Sequence, residues 1–214
     1  MSDLTKIFDL LDEFRHLPNY QLERRADIFF ALFIPLVINK KFGLSVKHIL
    51  PEFPIRIGEI STVNINRSFK IDYAIFTDRP NHCFFIELKT DDYSRRDKQD
   101  WYLECSVKAG MKSLIDGILK ISKASSSKDK YSVLISSISK TGLIKFEDGI
   151  PINVVPDKFE CQVIFLQPNC VTNDSNISFY EMATIIETLG DSLALRFAKS
   201  LREWATIKAG KINI

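Results

Sequence analysis

The run His82-Cys83-Phe84-Phe85-Ile86-Glu87-Leu88-Lys89 is an apolar segment that ends in an acid, one spacer and a base. Side chains alternate along a strand, so Glu87 and Lys89 share one face while Ile86 and Leu88 share the other. Residues 69–76, Phe-Lys-Ile-Asp-Tyr-Ala-Ile-Phe, form a second candidate strand with a carboxylate at Asp72. Only residues 77–81, with Pro80 among them, separate the two, which predicts an antiparallel hairpin. Asp72, Glu87 and Lys89 are therefore the residues expected to make a metal site with a proton-handling amine beside it.

The surrounding chain is of ordinary composition. It has 214 residues, 45% apolar and 26% charged, with sixteen phenylalanines against three methionines. Such a length supports one substantial, bulky core, so a single domain over residues 1–214 is expected. A net charge of +2 announces neither nucleic acid nor membranes, although a neutral average can hold one basic cleft. The first residues lack a basic start followed by an apolar core, so no secretory signal is expected. The longest apolar run, 28–38, contains Pro35 and is about half the roughly 20 residues a membrane-spanning helix needs. Cys83, Cys105, Cys161 and Cys170 are scattered and read as reduced thiols, and His16, His48 and His82 have no ligand spacing. The expected address is the cytoplasm.

Periodicity predicts the remaining elements. Leu4, Ile7, Phe8, Leu11 and Phe14 mark a first helix closed by Pro18-Asn19. A second helix is expected over 20–42, with Gly43 as its stop and Pro35 kinking or dividing it. Pro51 to Pro54 reads as a break before a strand over 55–60, which 63–66 extends. A polar loop over 91–98 leads into a long helix carrying Met111, Leu114, Ile115, Ile118 and Ile121, ended by the serines of 122–127. Residues 131–138 read as a buried strand. Asp148-Gly149 reads as a hairpin turn, and 161–166 as the last clear strand. Ser178-Phe179-Tyr180-Glu181 is a capping box, and Gly190-Asp191 separates two C-terminal helices. The predicted fold is α/β, a mixed central sheet flanked by helices.

A carboxylate in one strand, then Glu-x-Lys at the end of the next, after a helix that bears an acid, resembles the PD-(D/E)XK nuclease superfamily. The matching residues are Asp72, Glu87-Leu88-Lys89 and, on the second helix, Glu23; the resemblance covers about residues 20–102, and the strand at 131–138 by topology. It implies a restriction-endonuclease-like core with extra C-terminal helices, and Mg²⁺-dependent phosphodiester hydrolysis, with Mn²⁺ as a substitute. Magnesium keeps several waters, so Asp72, Glu87 and the carried-over carbonyl of Leu88 suffice as ligands. Lys89 is implied to orient or deprotonate water, and Glu23 to hold a metal-bound water or a second ion. The family's first acid often follows a proline, whereas Ile71 precedes Asp72 here. Asp27, one turn after Glu23, and Glu59 are rival candidates for the additional acid.

Arg95, Arg96 and Lys98, interleaved with Tyr93 and Trp101, are candidates for phosphate contacts and base stacking, and Gln99 for a phosphate or lysine partner. The favoured reading is a nuclease acting on DNA. A catalytically inactive nucleic-acid-binding or assembly protein on the same fold is the second reading, and a small-molecule enzyme using the carboxylates for acid–base work the third. The C-terminal helices either cap the core or form a homodimer contact.

Overall fold

The computed structural model describes residues 3–61, 67–90, 97–170 and 173–206. Along these the elements are α1 (Asp3–Phe14), α2 (Leu22–Phe42), β1 (Val46–Arg56), α3 (Ile57–Ile60), β2 (Ser68–Thr77), β3 (His82–Leu88) and α4 (Asp97–Ala124). Then follow α5 (Lys128–Ser139), β4 (Ile144–Glu147), β5 (Ile150–Asn153), β6 (Glu160–Gln167), β7 (Asn176–Ser178), α6 (Phe179–Glu187) and α7 (Ser192–Thr206). A five-stranded sheet in the order β1-β2-β3-β6-β7 mixes antiparallel and parallel pairs, and β4-β5 form a separate hairpin. This is the predicted α/β class. The chain divides into two compact units, Val46–Glu87 with Arg96–Val163, and Met1–Ser45 with Leu88–Arg95 and Ile164–Ile214.

In the unit that begins at Val46, β3 is buried at every position, as the unbroken apolar run requires of an internal strand. The β2–β3 hairpin is antiparallel as predicted, with Phe76 opposite Cys83 and Tyr73 opposite Ile86. Cys83 and Cys161 are both buried, and burial pushes their thiols up, that of Cys161 to about 12. At the β4–β5 turn Asp148 and Gly149 both have positive φ, 50° and 77°, which explains the Asp-Gly pair. Asn153 ties that hairpin to α4 by donating to Asp116 Oδ1 at 2.7 Å.

In the other unit, an aromatic cluster holds α1, α2, α6 and α7 together. The Phe197 ring lies 5.2 Å from Phe30, 5.6 Å from Phe33 and 5.7 Å from Phe8. Trp204, almost fully buried, satisfies its indole N–H by donating to Asp12 Oδ1 at 2.7 Å. The other Asp12 oxygen accepts from Arg196 at 2.7 Å, so the buried edge of the cluster is paired. Here β6 and β7 run parallel, Leu166 opposite Ile177. The capping box forms as read, the Ser178 hydroxyl accepting from the Glu181 N–H at 3.0 Å.

Three expectations are corrected. Residues 131–138 are helical, not a strand. Tyr131, Leu134, Ile135 and Ile138 repeat at helical steps, Ile135 and Ile138 are buried, and Val133 is 68% exposed. The strand that the family resemblance implied there is therefore absent. Pro51 and Pro54 do not break the chain, because they sit within β1, an edge strand with one partner, where proline forfeits little. After Arg56 the chain turns into α3, so Glu59 lies on a helical turn and not on a strand; the proposed extension over 63–66 lies outside the described residues. Of the two outcomes expected at Pro35, division does not occur: α2 continues through it, with Phe33, Ile34, Val37 and Ile38 buried around it, and ends at Gly43 with φ 68°, as predicted. α4 changes course at Gly110, whose φ of 77° and ψ of 156° are not helical.

Beyond that break, Gly117 packs on the α3 turn. A Cβ there would lie 2.8 Å from Glu59 Cγ and 3.1 Å from Arg56 Cβ. Glu59 cannot easily move, since its Oε1 accepts from Arg56 at 2.7 Å and from Lys120 at 2.8 Å. The Gly117→Ala variant should therefore be less stable by about 1–2 kcal/mol in urea denaturation, the cost of overpacking exceeding the gain in helix propensity. Burial would raise the Glu59 pKa, but the hydrogen bonds from Lys120 and Arg56 outweigh it and hold the carboxyl below its ordinary value. A depressed carboxyl stabilises the fold above its unfolded pKa, and that stability is lost as pH falls through the folded value. Between about pH 5 and about pH 3 the wild type should lose stability more steeply than Glu59→Gln, read as denaturation midpoints.

Candidate active site

The β2–β3 register decides which acids meet. Tyr73 faces Ile86, and one further residue along the two strands puts Asp72 opposite Glu87. Residues directly opposite in an antiparallel pair project from the same face, with Cβ atoms about 4.5–5.5 Å apart. Glu87 is 1% exposed and Asp72 half-buried, so the pair lies where one carboxylate is almost wholly removed from water. A buried carboxylate needs hydrogen bonds or a cation. One such bond comes from the first turn of α4, where the Gln99 side-chain amide donates to Glu87 Oε1. Gln99, expected to hold a phosphate or a lysine, instead holds the acid.

Near this pair the first part of α4 carries a polar-aromatic strip. Lys98 is exposed, its Nζ 5.8 Å from the Tyr102 ring centroid. Tyr102 stacks on Phe69 of β2 at 5.0 Å, with 16° between the planes, and Trp101 lies 5.2 Å from Tyr102 while 47% exposed. Arg95, Arg96 and Tyr93, predicted to share in this surface, lie outside the described residues.

Glu23, Leu88 and Lys89 belong to the other unit. Leu88 and Lys89 are 1% and 5% exposed, and the Lys89 N–H donates to the Leu166 carbonyl at 2.8 Å, extending the ladder beyond the end of β3. Glu23, in the first turn of α2, is half-buried and shares the lining of a cleft of about 310 Å³ with Tyr20, Arg24 and Thr90. Thr90, buried and next to Lys89, was not singled out from the sequence; only its place beside the Glu-x-Lys run could have suggested it. Of the rival acids, Asp27 is exposed and accepts from the Ile28 N–H at 2.7 Å, while Glu59 is taken by Arg56 and Lys120.

Among the described residues no group of three or more His, Cys, Asp or Glu side chains could hold a metal ion, and no helix is long and apolar enough to cross a membrane. No protein-family model, curated protein or solved structure matches the chain.

If Gln99 holds Glu87 as described, the two are energetically coupled. A double-mutant cycle of Gln99→Leu and Glu87→Leu, followed by chemical denaturation, should give a coupling of about 1–3 kcal/mol, the range for a hydrogen bond to a charged group.

Proposed function

We propose that the chain is a metal-dependent nuclease that hydrolyses phosphodiester bonds, in DNA rather than RNA. The observation that supports this reading is the β2–β3 register, which pairs Tyr73 with Ile86 and, carried one residue further, would bring Asp72 opposite a buried Glu87. The donor set fits magnesium, because this hard cation takes oxygen ligands and retains several waters. Asp72, Glu87 and the Leu88 carbonyl would hold it, and two protein carboxylates satisfy that chemistry without a third. When bound, the ion supplies polarisation of the scissile phosphate and a water acidified for attack.

The remaining roles fall to the chain itself. Gln99 fixes the Glu87 carboxylate by its hydrogen bond. Lys89, two residues along the same run, orients the attacking water and offsets the charge that gathers on the phosphate. Lys98 binds the sugar-phosphate backbone, and exposed Trp101 offers a stacking face that tolerates any base. The scattered cysteines, read from the sequence as reduced thiols, go with a reducing compartment such as the cytoplasm.

One observation favours the second reading, an inactive nucleic-acid-binding protein on the same fold: Gln99 already occupies an oxygen of Glu87. The experiment separates the two. Purified protein is incubated with Mg²⁺ or Mn²⁺ and with linear, nicked and single-stranded DNA and an RNA control, and Mn²⁺ binding is measured in parallel by calorimetry. Cleavage should require metal and fall at least about a hundredfold in Asp72→Asn, Glu87→Gln and Lys89→Met, the scale of losing an electrostatic catalytic group. Wild type that cuts no better than these variants ends the catalytic reading. DNA binding without Mn²⁺ binding would establish the inactive one.

A further inference from the structure

At the turn end of the β2–β3 hairpin lies a second set of polar groups, in the same unit as Asp72 and Glu87. His82 is five residues from Glu87, roughly 17 Å along an extended strand. It opens β3 and is 2% exposed, yet neither ring nitrogen has a hydrogen-bond partner among the described residues. Its ring stands edge-on to Phe84, 4.5 Å between centroids and 85° between planes, so packing fixes its orientation. Buried polar groups are almost always paired, and an imidazole with both nitrogens open needs an explanation.

The surroundings supply one. His82 lines a cleft of about 330 Å³, the lower end of the range for small-molecule sites. Lys47 and His48 reach it from β1, and Arg79 from the hairpin turn. No Asp or Glu lines it among the described residues. Arg79 is anchored from the side by Glu160, Nη2 to Oε2 at 2.6 Å, and Glu160 is the acid closest in role to these cations. Phe76 and Phe159 add apolar wall. A cleft of mixed polar and apolar lining with convergent cationic and hydrogen-bonding groups suits an anion carried on a flat body.

We propose that this cleft binds a small organic oxyanion, a carboxylate or phosphate on a flat apolar body, with the His82 imidazole donating to the oxyanion and Lys47 and Arg79 balancing its charge. The inference does not rest on the nuclease reading, since none of these residues takes part in it. A ligand here would contact both strands that carry Asp72 and Glu87, at the far end of their pairing.

The test follows the imidazole nitrogens of the full-length protein by NMR while adenosine 5′-monophosphate, benzoate or inorganic phosphate is added to millimolar concentration. His82→Phe, which keeps a ring against Phe84, assigns the His82 signals. Saturable shifts at His82 with the mononucleotide or with benzoate are expected, and which of the two binds more tightly names the phosphate or the carboxylate. Lys47→Ala, an exposed position on an edge strand, should weaken binding about tenfold, the factor for one charge-assisted contact. The proposal is overturned if neither organic probe shifts His82, if inorganic phosphate binds as tightly as both, or if Lys47→Ala binds as wild type does. The Lys47 variant decides the matter even where His82→Phe fails to fold.

Discussion

One pairing register underlies the rest: β2 lies antiparallel to β3 so that Tyr73 meets Ile86, the pair next to Asp72 and Glu87. A shift by a single residue would turn the apolar set of either strand to the wrong face, and both strands are too deeply buried to tolerate it. The burial that locks the register also takes the Glu87 carboxylate out of water. Hydrophobic packing and the placement of the acids are thus one constraint, and α4 answers it by bringing Gln99 to Glu87.

The parts of this arrangement legible in the sequence are those governed by local rules. Apolar runs of strand length revealed β2 and β3, the short connection made them a hairpin, and Asp148-Gly149 and Ser178-x-x-Glu181 announced a turn and a cap whose geometry follows from their chemistry. Residues 131–138 were misread because a short apolar run suits a strand or a helix, and only packing reveals that Val133 points outward. Pro51 and Pro54 misled for a related reason: proline is hostile to an internal strand and harmless at an edge, and position in a sheet is a tertiary fact.

The candidate site divides in the same way. Asp72 and Glu87 could be proposed from spacing alone, because a hairpin relates the strands that carry them. The partner of Gln99 was not, because a helix start can approach a strand from many directions and the chain between them, 91–96, carries no periodic signal. The solitary state of the His82 nitrogens likewise has no signature in sequence, where a strand-opening histidine looks ordinary.

The edge strand β1 has a bearing on how the chain behaves in company. An exposed sheet margin invites a strand from another molecule to add to it, which is the first step of fibre formation. On β1 Pro51 and Pro54 are three residues apart, so one of them withholds a donor that such a newcomer would require, and Glu52 between them has a positive φ of 52°. The opposite margin is β7, only three residues long. Features that look like flaws in a strand thus make both margins of the sheet, among the described residues, poor templates for a further strand.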